Sequence, residues 1–107
     1  MYPDPQVLDD LVQRIVASVR PLRIVLFGSA ARGTMDPHSD LDVLVVMPNG
    51  CDCRAVARLL YRRLRGLAYA KDIVVVWQSD VEQYDNNPAL VTHTALSEGR
   101  ELYRVAS

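Results

Sequence analysis

Long hydrophobic runs are missing from this chain. Its longest apolar stretches fall far short of the roughly 18 residues that a membrane span needs. The opening Met-Tyr-Pro-Asp-Pro has neither a basic n-region nor an apolar h-region, so no secretory signal is expected. An excess of either charge is also missing. Twelve Lys and Arg stand against thirteen Asp and Glu, for a formal net charge of -1. Nothing global points to nucleic acid or to an anionic membrane. A cytoplasmic protein without direct nucleic-acid binding is the expectation. Cysteine is scarce: Cys51 and Cys53 form a single C-x-C, with no second pair. His38 and His93 sit at no usual ligand spacing, so the pair reads as two free thiols at a loop-to-helix junction. No G-x-x-x-x-G-K-[ST] occurs, which excludes a Walker-type phosphate loop. There is no internal repeat and no low-complexity segment. Trp77 and the five tyrosines read as packing residues.

What is present suits one domain spanning residues 1–107, since this length leaves no room for two cores. Val7, Leu8, Leu11, Val12, Ile15, Val16 and Val19 recur at helical spacing. They predict an amphipathic helix from Pro5 to Arg20, with Asp4 as cap, Pro5 in the first turn and Pro21 beyond the end. Arg23 to Phe27 reads as a buried strand, broken by Gly28-Ser29. Ser29 to Arg32 predicts one helical turn closed by Gly33, followed by a loop through Asp36, Pro37 and His38. Leu41 to Met47 is a second strand, ended by Pro48-Asn49-Gly50. Asp52 to Leu67 reads as a helix. Its Val56, Leu60, Leu64 and Leu67 gather on one side, and Arg54, Arg58, Arg62 and Arg65 on the other. The arginine stripe is read as a solvated face. Ile73 to Trp77 predicts a third strand, Asp80 to Tyr84 a short helix, Asn87-Pro88 the start of another ending near Gly99, and Glu101 to Arg104 a last strand. Strands this short and apolar need cover. The expected fold is therefore α/β (α+β), a small mixed sheet flanked by helices.

Three groups of residues carry chemistry. Gly28-Ser29 follows a buried strand, where a glycine lets the backbone approach a bulky anion and the following amides and hydroxyl can donate to phosphate. Asp40 and Asp42 are spaced i, i+2, so on a strand they share a face about 6.6 Å apart. At an effective dielectric of about 20 their repulsion is roughly 2.5 kcal/mol. Without a counter-cation one of them should have a raised pKa. Their oxygens suit Mg²⁺, which commonly binds one or two carboxylates plus substrate phosphates. Asp72 precedes a third apolar strand, and a neighbouring strand could bring it beside the first two. Three carboxylates with two divalent ions can clamp both the attacking and the leaving oxygens of a phosphoryl group.

Gly28-Ser29-Ala30-Ala31-Arg32-Gly33, then Ser39-Asp40-Leu41-Asp42, then Asp72, resembles the DNA polymerase β-like nucleotidyltransferase superfamily. The chain is most similar to its minimal nucleotidyltransferases, the MntA-type antitoxins, across about its whole length. The resemblance implies the nucleotidyltransferase fold and a role for each motif residue. Ser29 would contact the triphosphate with the Gly28 backbone close by, Arg32 would brace the loop or touch phosphate, and Ser39 of the second motif would join them as a cofactor-binding residue. Asp40, Asp42 and Asp72 would be the catalytic carboxylates and would hold two Mg²⁺ ions, Asp72 on the acceptor side. ATP would be the substrate, and AMP would pass to an acceptor with release of pyrophosphate. The chain is too short to carry an acceptor-binding domain. In the resembled family the partner is a HEPN-domain toxin, an RNase, which the nucleotidyltransferase neutralises in some cases by adenylylating a tyrosine. Two competing readings are a catalytically idle antitoxin acting by contact alone and a small-molecule nucleotidyltransferase of the aminoglycoside-modifying kind.

Overall fold

A computed structural model describes residues 1–36, 38–83 and 98–106. Helix α1 spans Pro5–Val19. Asp4 caps it, its carboxylate accepting the Gln6 N–H at 2.9 Å. Arg20 stops it in the left-handed region (φ 49°), donating its N–H to the Val16 carbonyl. Strand β1 (Arg23–Phe27) runs into a five-residue helix α2 (Gly28–Arg32), closed by Gly33 at φ +76°. Strand β2 covers Leu41–Met47.

Helix α3 spans Cys53–Arg63, four residues short of the expected end at Leu67. Asp52 caps its start by accepting the Ala55 N–H at 3.1 Å. Leu64 is still fully buried although the helix has ended. Turn bonds from Arg65 N to Arg62 O and from Leu67 N to Leu64 O replace the helical ladder. Apolar spacing therefore outlasted the helix it implied. Arg54, Arg58, Arg62 and Arg65 are all exposed, and none forms an ion pair among the described residues. Cys51 and Cys53 are free thiols where the loop enters α3.

Strand β3 covers Lys71–Trp77 and so begins two residues before the apolar run. Pairing with β2 is the reason, since Leu41 faces Lys71 and Asp42 faces Asp72. Helix α4 spans Gln78–Glu82 rather than starting at Asp80. Asp80 lies inside it, and its carboxylate reaches back to accept the Trp77 N–H at 2.9 Å. Strand β4 covers Arg100–Arg104. The expected helix beginning at Asn87-Pro88, together with His93 and Tyr84, lies outside the described residues.

The strands form one mixed sheet in the order β3-β2-β1-β4. The β1–β2 and β1–β4 pairs are antiparallel and β2–β3 is parallel. A parallel neighbour requires a crossover, and α3 supplies it. Alternation along the strands sorts residues onto two faces. Ile24, Leu26, Leu41, Val43, Val45, Met47 and Ile73 pack with Leu8, Leu11 and Ile15 of α1 and Leu60 of α3. On the opposite face Val25, Leu44 and Val46 pack with Val81 of α4. The first cluster is the larger core. The second lies on the face that also carries Asp42 and Asp72. No described helix is long and apolar enough to cross a membrane.

Candidate active site

Antiparallel pairing of β1 with β2 sets Phe27 opposite Asp42, so β1 ends where β2 begins. Parallel pairing starts β3 at that same end, with Asp72 in register with Asp42. Neighbouring strands lie about 4.8 Å apart. The two carboxylates therefore stand side by side on one face, and a one-residue slip of β3 would turn Asp72 to the other side. Asp40 lies just ahead of β2 and is exposed, as is Asp72, while Asp42 is partly buried.

The electrostatics join these residues. Burial pushes the Asp42 carboxyl above its ordinary range, and the negative charges of Asp72 and Asp40 push it further. The Arg32 guanidinium acts in the opposite direction. Among the described residues no three carboxylate, histidine or cysteine side chains are closed into a metal-type cluster.

Gly28 is bound to this group by space. It opens α2 with φ +70°, and a β-carbon built on it would run into the Asp42 carboxylate, with Cγ at 3.2 Å. Its absent side chain leaves room for the carboxylate beside the turn that opens α2. The turn is secured from below, since Gly33 N and Thr34 N both donate to the Ser29 carbonyl. Ser29 is partly buried, and no described bond uses its hydroxyl. Arg32 is half exposed and lies 3.6 Å from Glu98. Ser39 acts locally. Its hydroxyl accepts the Asp36 N–H at 3.1 Å, and its own N–H donates to the Asp36 carbonyl at 3.0 Å. It folds the loop that delivers Asp40. His38 is exposed in that loop, as its sequence context implies.

One residue beside the carboxylates escaped sequence reasoning. The Tyr61 hydroxyl on α3 accepts the Ile73 N–H at 2.9 Å and lies 3.4 Å from Asp72 Oδ1. A tyrosine between arginines on an exposed helical face carries no signal that links it to an aspartate eleven residues on. The link exists only once α3 lies against β3. A cleft of about 310 Å³ between Arg58, Tyr61 and Arg62 adjoins this corner.

A glycine-led turn at the end of β1 thus faces aspartates on two neighbouring strands. The chain belongs to the nucleotidyltransferase domain family, whose model matches residues 6–93. None of the curated proteins matches it in sequence. Solved structures do resemble it. A toxin–antitoxin crystallised with AMP-PNP superposes with a TM-score of 0.67 at 20% identity, over 92% of this chain and 73% of that one. A mutant MntA–HpeT toxin–antitoxin gives a TM-score of 0.66 at 18% identity, with the same coverage. A candidate nucleotidyltransferase from Sulfolobus solfataricus gives 0.62 at 20% identity, over 92% and 78%. At these identities the likeness is one of fold.

Proposed function

We propose that this chain is a single-domain protein adenylyltransferase, the antitoxin of a pair whose toxin is a HEPN-domain RNase. The observation that carries the reading is the in-register pairing of Asp42 with Asp72 beside Gly28. Two neighbours of the fold are toxin–antitoxin proteins, one of them crystallised with AMP-PNP, which supports a toxin as partner and an adenine nucleotide as substrate.

The donor set fits a hard divalent cation. It is all oxygen and all negative, and Asp42 is held at an unfavourable charge that a cation would relieve. Asp40, Asp42 and Asp72 would hold Mg²⁺, two ions in the full site. When bound, the ions neutralise charge on the phosphates and lower the cost of the attacking and leaving oxygens. The chain's own groups do the rest. Gly28 lets the Asp42 carboxylate lie against the backbone at the head of α2, and the Ser29 hydroxyl and the amides after it donate to the triphosphate. Arg32 adds a positive charge, and Ser39 keeps Asp40 in place. An acceptor hydroxyl on the Asp72 side attacks the α-phosphorus in line. The new oxygen–phosphorus bond forms as the bond to the β-phosphate oxygen breaks, and pyrophosphate leaves. The hydroxyl proton passes toward Asp72. Positioning and charge neutralisation supply most of the rate.

The test is to mix the protein with the product of the adjacent gene, ATP and Mg²⁺, and to weigh that product. A gain of one or more AMP units is expected. An unchanged mass, with an active toxin and an intact complex, overturns the reading. If Asp40→Asn with Asp42→Asn still neutralises the toxin, contact alone suffices.

A further inference from the structure

Tyr61 has a bonding pattern that packing does not call for. The residue is 41% exposed, so burial gives little reason for an aromatic ring at this position. Its hydroxyl is nevertheless held at a fixed point. Ile73 lies on β3, which among the described residues is an edge strand paired on one side only. The Ile73 N–H donates to the Tyr61 oxygen at 2.9 Å. That bond anchors the oxygen and leaves the hydroxyl its single proton to give. Asp72 Oδ1, at 3.4 Å, is the acceptor in reach. Among the described residues, no other hydrogen bond or ion pair reaches the Asp72 side chain. Asp72 is exposed, stands on the same edge strand and is repelled by Asp42. A carboxylate in that setting has several rotamers open to it, and among the described residues the Tyr61 hydroxyl is what favours one.

We propose that Tyr61 is a positioning residue for Asp72. Its hydroxyl holds the carboxylate beside Asp42 in the orientation that receives a divalent cation, and it ties α3 to the site. The proposal rests on the reading of Asp72 as a metal-holding carboxylate. Groups that orient a metal ligand commonly change metal affinity or activity about 10–100-fold when removed. The Tyr61–Asp72 contact is long, so the effect belongs at the lower end of that range.

Tyr61→Phe keeps the ring and removes the hydroxyl. Water can replace it at the Ile73 N–H, because the position is exposed. Mn²⁺ binding, followed by electron paramagnetic resonance with a non-hydrolysable ATP analogue present, reads the site without turnover. The expected result is Mn²⁺ bound about tenfold more weakly by Tyr61→Phe, with the melting temperature and metal-free analogue binding unchanged. In an Asp72→Asn background, Tyr61→Phe should cause no further loss. If Asp72→Asn weakens Mn²⁺ binding and Tyr61→Phe does not, the positioning role is overturned while the metal site stands. An equal loss from Tyr61→Phe in both backgrounds also overturns it, because the hydroxyl would then act through the strand edge rather than through Asp72. If Asp72→Asn binds Mn²⁺ like the unmodified protein, the functional reading of Asp72 falls and the proposal falls with it. Recovery of AMP on Tyr61 by peptide mass mapping would make Tyr61 an acceptor and overturn the positioning role.

Discussion

The Asp42 carboxylate fills the space that a β-carbon on Gly28 would need. Gly28 has φ +70°, and the built β-carbon runs into Asp42 Oδ2 and sits 3.2 Å from Cγ. Two residues fourteen apart in sequence thus share one volume, and each fixes what the other can be. Gly28→Ala must bear a left-handed backbone and also move the carboxylate. The expected cost is about 1–3 kcal/mol of stability, with loss of nucleotide transfer well beyond what that cost explains. Thermal melts beside a nucleotidyl-transfer assay check both parts. A variant with normal stability and normal transfer would show that the contact does not matter.

Asp42 also makes the apo protein pH-sensitive. Burial, Asp72 and Asp40 raise its pKa. The folded state therefore holds this proton more tightly than the unfolded chain does. Stability falls as pH climbs from the ordinary carboxylate pKa through the raised one, and the penalty persists at neutral pH. Asp42→Asn removes the charge. It should melt higher than the unmodified protein at pH 7 without metal, and the advantage should vanish below the ordinary carboxylate range. Added Mg²⁺ should stabilise the unmodified protein more than the variant, by mass action on the folded state. Melting curves across pH, with and without Mg²⁺, measure all three.

Glu101 works in the other direction. Register sets Arg23 opposite Arg104, two like charges on adjacent strands. Glu101 Oε1 accepts from Arg23 Nε at 2.7 Å and from Arg104 Nε at 3.0 Å. The Arg104 bond foremost lowers the Glu101 pKa, burial opposes it as the next largest effect, and the Arg23 bond and the two guanidinium charges add to the lowering. Its contribution is complete above the ordinary carboxylate pKa and is lost as pH falls through the lowered value. The groups are partly exposed, so Glu101→Gln should cost no more than about 1 kcal/mol at neutral pH. High salt should erase most of the difference. Denaturant titrations at low and high ionic strength would show it.

Asp52 has a simpler role. It accepts the Ala55 N–H at the start of the crossover helix. Asp52→Ala should destabilise the protein by about 1 kcal/mol. Asp52→Asn, which keeps the acceptor, should recover most of that loss in the same urea titration.

Local patterns carried much of this protein. The stripe from Val7 to Val19, with Asp4 and Pro5 at its head, names α1 because capping and 3.6-residue periodicity act within a few residues. Arg23–Phe27 and Leu41–Met47 are legible as strands because their apolar runs end in Gly28 and in Pro48-Asn49-Gly50. Long-range partners blurred the boundaries elsewhere. β3 starts at Lys71 because β2 pairs with it there, and α4 starts before Asp80 because that side chain turns back to the Trp77 amide. Leu64 and Leu67 keep the apolar spacing of a helix that had already given way to turns.

The site divides in the same manner. Sequence alone named Gly28, Ser29, Asp40, Asp42 and Asp72 and the chemistry their atoms suit, because glycine freedom, hydroxyl donation and carboxylate charge belong to the residues themselves. It also determined that Asp40 and Asp42 repel. Only the tertiary structure decided that burial and Asp72 also push the Asp42 carboxyl up, since partial burial and Asp72 in register come from the sheet. Only it decided that Gly28 and Asp42 exclude one another's bulk and that Tyr61 reaches Asp72 across a strand edge. Those relations depend on pairing register and on helix packing, which act between residues far apart in the chain and leave no periodic mark along it.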